Sequence, residues 1–235
     1  MKALVITPVK DSLETTRLVI EAVSRAKGDF KYLVYNDFSK KETKQYLDGN
    51  KEKLNYSVVH IEEITSHPSP NYHLVLQLAQ ESAIQADVPL IIIESDVIIK
   101  ENTIDELITL SNRLKKPGLI GAITVNRQGK YNFPYANEKK TKKGITNTNR
   151  SLSFCCTLIS APCLKAYNFK DLSDKKDWFD IFISRQAKRH GFRNYLAKRI
   201  EVTHLPHSSR PWKQLKYTNP VQYYFYKLLK KRDRI

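Results

Sequence analysis

Two carboxylates stand one residue apart in an apolar stretch near the middle of the chain. Residues 90–99 read Leu-Ile-Ile-Ile-Glu-Ser-Asp-Val-Ile-Ile, in which the acids are Glu94 and Asp96. The stretch is short, rich in β-branched residues and preceded by Pro89, which predicts a buried strand. Alternate residues of a strand share a face, so both carboxylates point the same way, and they need a cation if they are buried. Hard oxygen ligands suit Mg²⁺ or Mn²⁺, so the spacing favours a metal site, with a plain acidic turn as the alternative.

Strand and helix patterns alternate on both sides of this stretch, which predicts an α/β fold. We expect a Rossmann-like, mainly parallel central sheet with helices on both faces. Ligands of such sheets bind beyond the carboxyl ends of the strands, where this chain has Thr7-Pro8, Asn36-Asp37 and Glu94-Ser95-Asp96. The predicted strands are 3–7, 32–35, 56–61, 90–99 and 119–125, with a late strand ending at residue 204; the predicted helices are 13–27, 41–54, 72–86, 104–114 and 177–190.

Local signals mark where several of these helices begin and end. Asp11 with Glu14, and Thr103 with Glu106, have the spacing of a helix N-terminal cap. Gly191 ends the aromatic-rich helix at 177–190.

Charge divides the chain into two unlike parts. Residues 1–100 carry 12 Lys and Arg against 14 Asp and Glu, whereas residues 101–235 carry 28 against 10, a net charge of +18. The second part should therefore face an anionic partner, and a nucleic-acid-binding protein is one hypothesis, although no zinc-finger, RNP or helix-turn-helix pattern is present. No apolar run could span a bilayer or form a signal peptide. Cys155, Cys156 and Cys163 lack disulfide or zinc spacing, so we expect reduced thiols in a cytoplasmic protein.

Two polar or basic segments allow alternative interpretations. Residues 126–150 include Lys139, Lys140, Lys142 and Lys143, and such a long loop is either disordered or a functional lid. The tail after residue 216 mixes aromatic with basic residues, which suits either an anionic membrane surface or a helix packed on its own domain.

Six motifs in chain order resemble those of one enzyme family. They are Leu4-Val5-Ile6-Thr7-Pro8, Asn36-Asp37-Phe38-Ser39, Asn71, Glu94-Ser95-Asp96, Asp177-Trp178-Phe179-Asp180 followed by Gly191-Phe192, and His204. In this order they resemble the opening strand, Asp-Asp-x-Ser turn, helix-preceding Asn, Asp-x-Asp motif, acidic helix and late His of the family-two inverting glycosyltransferases. That family uses nucleotide sugars and has the GT-A fold. The chain departs from its pattern at Asn36 and Glu94, which stand where the family has Asp, and at Phe38, which stands where it has Gly.

The resemblance implies a role for each of these residues. It implies that Asp37 binds the nucleobase and Pro8 shapes its pocket, with Thr7, Asn71, Glu94 and Ser95 also against the nucleotide. Asp96 would bind Mn²⁺ or Mg²⁺ together with His204, or with His207 in its place. Asp180, or alternatively Asp177, would be the general base, and Trp178 would stack on an acceptor sugar.

The resulting expectation is a metal-assisted hexosyltransferase of polysaccharide biosynthesis. It would move a sugar from a nucleoside diphosphate donor, with uridine as the expected base, to a glycan or lipid-linked acceptor. Residues 1–210 would form one catalytic domain, with a nucleotide part at 1–100 and an acceptor part at 101–210, and residues 211–235 a tail on the inner face of a membrane. We expect no nucleic acid partner. A domain that binds sugar nucleotides without catalysis is the alternative that the imperfect motifs leave open.

Overall fold

The computed structural model describes residues 1–138, 144–172, 178–205 and 219–229, except for the side chains of 226–229. Its strands are β1 (Ala3–Val9), β2 (Phe30–Asn36), β3 (Ser57–His60), β4 (Leu90–Ile93), β5 (Val97–Ile98), β6 (Pro117–Val125), β7 (Ile145–Thr148), β8 (Cys156–Ile159) and β9 (Arg193–His204). Its helices are α1 (Leu13–Ser24), α2 (Lys41–Asn50), α3 (Tyr72–Gln85), α4 (Thr103–Arg113), α5 (Ala161–Ala166), α6 (Phe179–Arg189) and α7 (Pro220–Leu229). None of the helices within these ranges has the length and apolarity that crossing a bilayer requires.

The strands of the described ranges form one sheet in the order β3-β2-β1-β4-β8-β6-β9-β5, with β7 paired to β9 beside this path. Parallel pairs join β1 to β2 and β4, β2 to β3, and β6 to β9. Strand β8 runs antiparallel between β4 and β6, and the short β5 and β7 pair antiparallel with β9. The predicted α/β class is confirmed.

Alternation along the strands divides the core into two layers. In β4, Ile91 and Ile93 face the layer that contains α1 and α4, whereas Leu90 and Ile92 face the layer that contains α3, α5 and α6. All four side chains are fully buried, and each contributes roughly 1.5–3 kcal/mol through the hydrophobic effect. Glu94 and Asp96 therefore follow a strand whose side chains are packed on both faces of the sheet.

Both predicted helix caps are wrong in detail. Ser12 precedes α1, and Asp11 instead accepts a hydrogen bond at Oδ1 from the Lys40 backbone N–H, at 2.7 Å. This contact between the loops that follow β1 and β2 replaces the local cap. Thr103 is the first residue of α4 rather than its cap, and its Oγ1 accepts a hydrogen bond from the Lys100 N–H at 3.0 Å. Gly191 does end α6, with a φ of 81° that favours glycine.

Residues 126–138 and 144–150 of the predicted loop contact the sheet. Strand β7 adds to the sheet beside β9, and Tyr131 forms a bridge with Val125. Glu138 contacts the buried Lys198 of β9 through an ion pair with 2.8 Å between Oε2 and Nζ. The four predicted lid lysines at 139–143 lie outside the described residues.

Candidate active site

The two motif carboxylates lie in a turn between β4 and β5. The Glu94 N–H donates to the Cys155 carbonyl at 3.1 Å, and the Val97 N–H donates back to the Glu94 carbonyl at 3.0 Å. The predicted continuous strand at 90–99 is therefore broken, and Glu94 and Asp96 lie at the carboxyl end of β4. Glu94 is partly exposed, whereas Asp96 is buried.

Pairing of β5 with β9 brings Asp96 next to His204. Val97 is the register partner of His204, and the Leu205 N–H donates to the Asp96 carbonyl at 2.8 Å. The imidazole Nε2 lies 3.5 Å from the Asp96 Oδ2, and both side chains are buried. Asn132 donates to the His204 carbonyl at 2.9 Å, so the 126–138 segment supports the same residue. We call these two residues the Asp96–His204 pair.

The donor atoms of the Asp96–His204 pair fit a divalent ion such as Mn²⁺. A carboxylate oxygen and a neutral imidazole nitrogen are both ordinary ligands of that metal. Among the residues that the structure describes, no group of three His, Cys, Asp or Glu side chains could hold an ion. The pair would therefore supply two ligands, and such ions commonly take the others from water and substrate phosphates.

Cys155 lies against the same turn. Burial raises the pKa of its thiol well above the ordinary value, and the Glu94 and Asp96 carboxylates raise it further. The thiol therefore stays protonated and hydrogen-bonds the Glu94 side chain. Only the order of strands β4 and β8 in the sheet reveals this contact.

A second polar group surrounds Asp37, directly after β2. The Asp37 Oδ2 accepts from the Ser69 hydroxyl at 2.6 Å and from the Asn71 N–H at 2.9 Å, and the Asp37 Oδ1 accepts from Asn71 Nδ2 at 2.8 Å. We call these three residues the Asp37 network. The network joins two predicted site residues, Asp37 and Asn71, and adds Ser69. Three donors hold the carboxylate in one orientation, and its oxygens retain acceptor capacity for a ligand.

The residues on either side of Asp37 are held in defined conformations. Asn36 is buried, and its Nδ2 lies 2.9 Å from the His60 Nδ1, while His60 Nε2 lies 3.0 Å from the Asp48 Oδ1. Asn36 is thus held by His60, and its Oδ1 also accepts a hydrogen bond from the Ser39 N–H at 3.3 Å. Phe38 has a φ of 52°, in the left-handed region that favours glycine.

Thr7 and Pro8 are neighbours in β1 but differ in exposure. Thr7 is fully buried, and its Oγ1 accepts a hydrogen bond from the Tyr32 hydroxyl at 2.9 Å. Pro8 is partly exposed at the next position of β1, whose end lies beside that of β2. Ser95 is partly exposed in the turn between the two motif acids.

The candidate base Asp180 lies in the first turn of α6. Its Oδ1 accepts from the Ile181 N–H at 2.8 Å, and burial raises the pKa of its carboxyl above the usual range. A raised pKa makes the carboxylate a better proton acceptor. Trp178 directly precedes α6 and is partly exposed. The alternative base Asp177 and the alternative metal ligand His207 lie outside the described residues.

Several solved structures of sugar-transferring enzymes are similar to this chain. S. aureus TarS 1-349 in complex with UDP-GlcNAc has a TM-score of 0.69 at 16% identity, over 89% of this chain and 60% of that one. GalNAc-T7 with UDP, GalNAc and Mn²⁺ has a TM-score of 0.65 at 13% identity, over 96% of this chain and 50% of that one. The mannosyltransferase PcManGT from Pyrobaculum calidifontis in complex with GDP-Man and Mn²⁺ has a TM-score of 0.66 at 11% identity, over 100% of this chain and 65% of that one.

These structural neighbours are glycosyltransferases of the GT-A type, and the likeness shows that this chain has that fold. The chain spans less than two thirds of the length of each of the three. No protein-family model and no curated protein matches it.

Proposed function

We propose that this chain is a metal-dependent glycosyltransferase that takes a hexose from a nucleoside diphosphate donor. The observation that carries the proposal is the buried Asp96–His204 pair, with 3.5 Å between its nearest atoms, at the turn that follows β4 of a GT-A fold. In support, TarS and PcManGT are complexed with UDP-GlcNAc and GDP-Man, and PcManGT and GalNAc-T7 with Mn²⁺. We infer Mn²⁺ or Mg²⁺ as the ion and a uracil nucleotide as the first donor to try.

The proposed division of labour follows the sheet. The Asp37 network and Pro8 bind the nucleobase side of the donor, and residues 1–100 form the nucleotide part. Glu94 and Ser95 lie against the rest of the nucleotide, whereas the Thr7 side chain stays inside the sheet and bonds Tyr32. The Asp96–His204 pair holds the ion, which neutralises the diphosphate leaving group when bound.

The acceptor side is formed by residues 101–210. Asp180, with Asp177 as the alternative, takes the proton from an acceptor hydroxyl while that oxygen bonds to the anomeric carbon. The bond from that carbon to the diphosphate oxygen breaks in the same step, so the configuration inverts and no covalent enzyme intermediate forms. General base catalysis of this kind contributes about 10²–10⁴ in rate. Trp178 lies beside this acid and would contact the acceptor, a glycan or a lipid-linked glycan.

The test is a thermal-shift and activity screen with UDP-GlcNAc and GDP-Man, with and without Mn²⁺. A ligand that binds the folded state raises the melting temperature by mass action. Asp96→Ala should abolish both the Mn²⁺-dependent shift and turnover, whereas Asp105→Ala, on the exposed first turn of α4, should change neither. Full Mn²⁺-dependent turnover in Asp96→Ala would refute the metal assignment. Donor binding without turnover on any acceptor would favour the alternative of a non-catalytic binding domain.

We also propose that α7 places the enzyme on the inner face of an anionic membrane. Tyr223 is buried at 5% exposure, whereas Val221, Tyr224 and Phe225 are 80%, 53% and 59% exposed. These three positions have the i, i+3, i+4 spacing of one helix face, and residues 227–235 carry five Lys or Arg against one Asp. Basic residues near such a surface contribute about 1 kcal/mol each.

Vesicle co-sedimentation tests this location. The wild type should sediment with phosphatidylcholine vesicles that contain phosphatidylglycerol and not with phosphatidylcholine alone. Phe225→Glu should lose this binding, whereas Ile64→Glu, which changes a side chain 48% exposed elsewhere, should keep it. Equal binding by both variants would exclude α7 as the contact.

A further inference from the structure

Tyr72, the first residue of α3, has a buried hydroxyl for which the described residues provide no hydrogen-bond partner. Three other tyrosines of the core do have one. Tyr32 donates to Thr7, Tyr56 donates to the Leu47 carbonyl at 2.8 Å, and Tyr135 accepts from the Ser153 N–H at 3.1 Å. A buried polar group without a partner destabilises the fold, so its presence calls for a reason.

Tyr72 lies between the Asp37 network and the helix that carries the candidate base Asp180. Its chain neighbour Asn71 belongs to the Asp37 network. Its ring lies 6.1 Å, between centroids, from the ring of Phe179, which directly precedes Asp180 in α6. Tyr72 thus contacts α6, which carries the candidate base, while its chain neighbour Asn71 bonds Asp37 on the proposed nucleobase side.

The charges around the phenol keep it a hydrogen-bond donor. Burial raises the pKa of Tyr72 well above its ordinary value, and Glu94, Asp180 and Cys155 raise it further. The hydroxyl therefore keeps its proton at neutral pH, and it lies close enough to the motif acid Glu94 and the candidate base Asp180 for both to affect its pKa. In the proposed reaction the transferred sugar occupies the space between those two acids, because one side holds the diphosphate and the other activates the acceptor.

We propose that the Tyr72 hydroxyl hydrogen-bonds the transferred sugar of the donor and not its nucleotide. The sugar supplies the hydrogen-bond partner that the described residues do not provide. Tyr72 then distinguishes a sugar nucleotide from the nucleoside diphosphate product, which helps the site release product. This inference rests on the proposed function and adds a residue that none of the sequence motifs contains.

Tyr72→Phe tests the inference, because it removes only the hydroxyl and keeps the ring against Phe179. Calorimetry in the presence of Mn²⁺ compares the dissociation constant of UDP with that of UDP-GlcNAc, and that of GDP with that of GDP-Man. The dissociation constant of the sugar nucleotide should rise about 3- to 10-fold, the range for one lost neutral hydrogen bond, while that of the nucleoside diphosphate stays within about twofold. The melting temperature without ligand should not fall, since the variant removes a buried hydroxyl that has no partner within the described part of the chain.

Tyr46→Phe is the matched control. The Tyr46 hydroxyl is also buried without a partner among the described residues, but its ring packs under Arg17 in the layer of α1. This variant should leave both dissociation constants unchanged. Equal weakening of both ligands by Tyr72→Phe, or weakening of neither, would overturn the inference. A wild type that binds no nucleotide at all would overturn the proposed function itself, and that result is visible without any variant.

Discussion

Replacing Asn71 by Asp should turn the shortest contact of Asn71 with the Asp37 carboxylate into a repulsion. The Asn71 Nδ2 lies 2.8 Å from the Asp37 Oδ1, and both residues are buried. The substitution keeps the size and shape of the side chain and exchanges a donor for a second anion. The backbone N–H of residue 71 and the Ser69 hydroxyl still bind Asp37, so the geometry of the network persists.

The magnitude follows from Coulomb's law. Two unit charges about 4 Å apart repel by about 4 kcal/mol at an effective dielectric constant near 20. Two carboxylates at this distance raise the pKa of the pair in the folded state above that in the unfolded state. The folded variant then binds more protons than the unfolded chain, so its stability rises as the pH falls. The defect should be greatest above the raised pKa and shrink by about 1.4 kcal/mol per pH unit below it.

Urea unfolding between about pH 5 and pH 8 measures this defect. Asn71→Ala, which removes the donor without adding a charge, should be destabilised by about 1.5–3 kcal/mol at every pH in that range. Asn102→Asp is the matched control: Asn102 also donates to a carboxylate, that of Glu106, but on the surface, so its change should stay within about 0.5 kcal/mol. A defect of Asn71→Asp that does not depend on pH would refute the reasoning.

Three further predictions concern the base, the ordered segment and the packing of β6. Asp180→Asn should lower turnover about 10²–10⁴-fold. Burial raises the pKa of the Asp180 carboxyl, so the wild type loses stability as the pH rises through that raised pKa. Urea unfolding of Asp180→Asn should not show this pH-dependent loss. Glu138→Gln should destabilise the fold by about 3 kcal/mol in the same assay by leaving Lys198 buried beside a neutral group, and adding Lys198→Met should restore most of this. Gly118→Ala should lower the free energy of unfolding by about 1–3 kcal/mol, because a Cβ there would come within 2.9 Å of two other Cβ atoms, whereas Gly49→Ala in open space should raise it by about 0.5–1 kcal/mol.

Local features of the chain were predictable because they depend on neighbouring residues. The β-branched run before Glu94 forms β4, and Gly191 ends α6 in the left-handed conformation. The alternation of strands with helices was enough to predict the α/β class. Even here, the cap expected at Asp11 failed, because a backbone N–H from another loop competes for the same carboxylate.

The amino-acid sequence by itself determined which residues could do chemistry, the order of the elements and the edge of the sheet at which Asp37 and Asp96 lie. The tertiary structure decided which of them meet. Asp96 contacts His204 only because β5 pairs antiparallel with β9. The pKa of the Tyr72 hydroxyl is raised by Glu94 only because α3 packs against β1 and β4. Such contacts join residues far apart in the chain, and they depend on strand order and register, which no local pattern of residue types encodes.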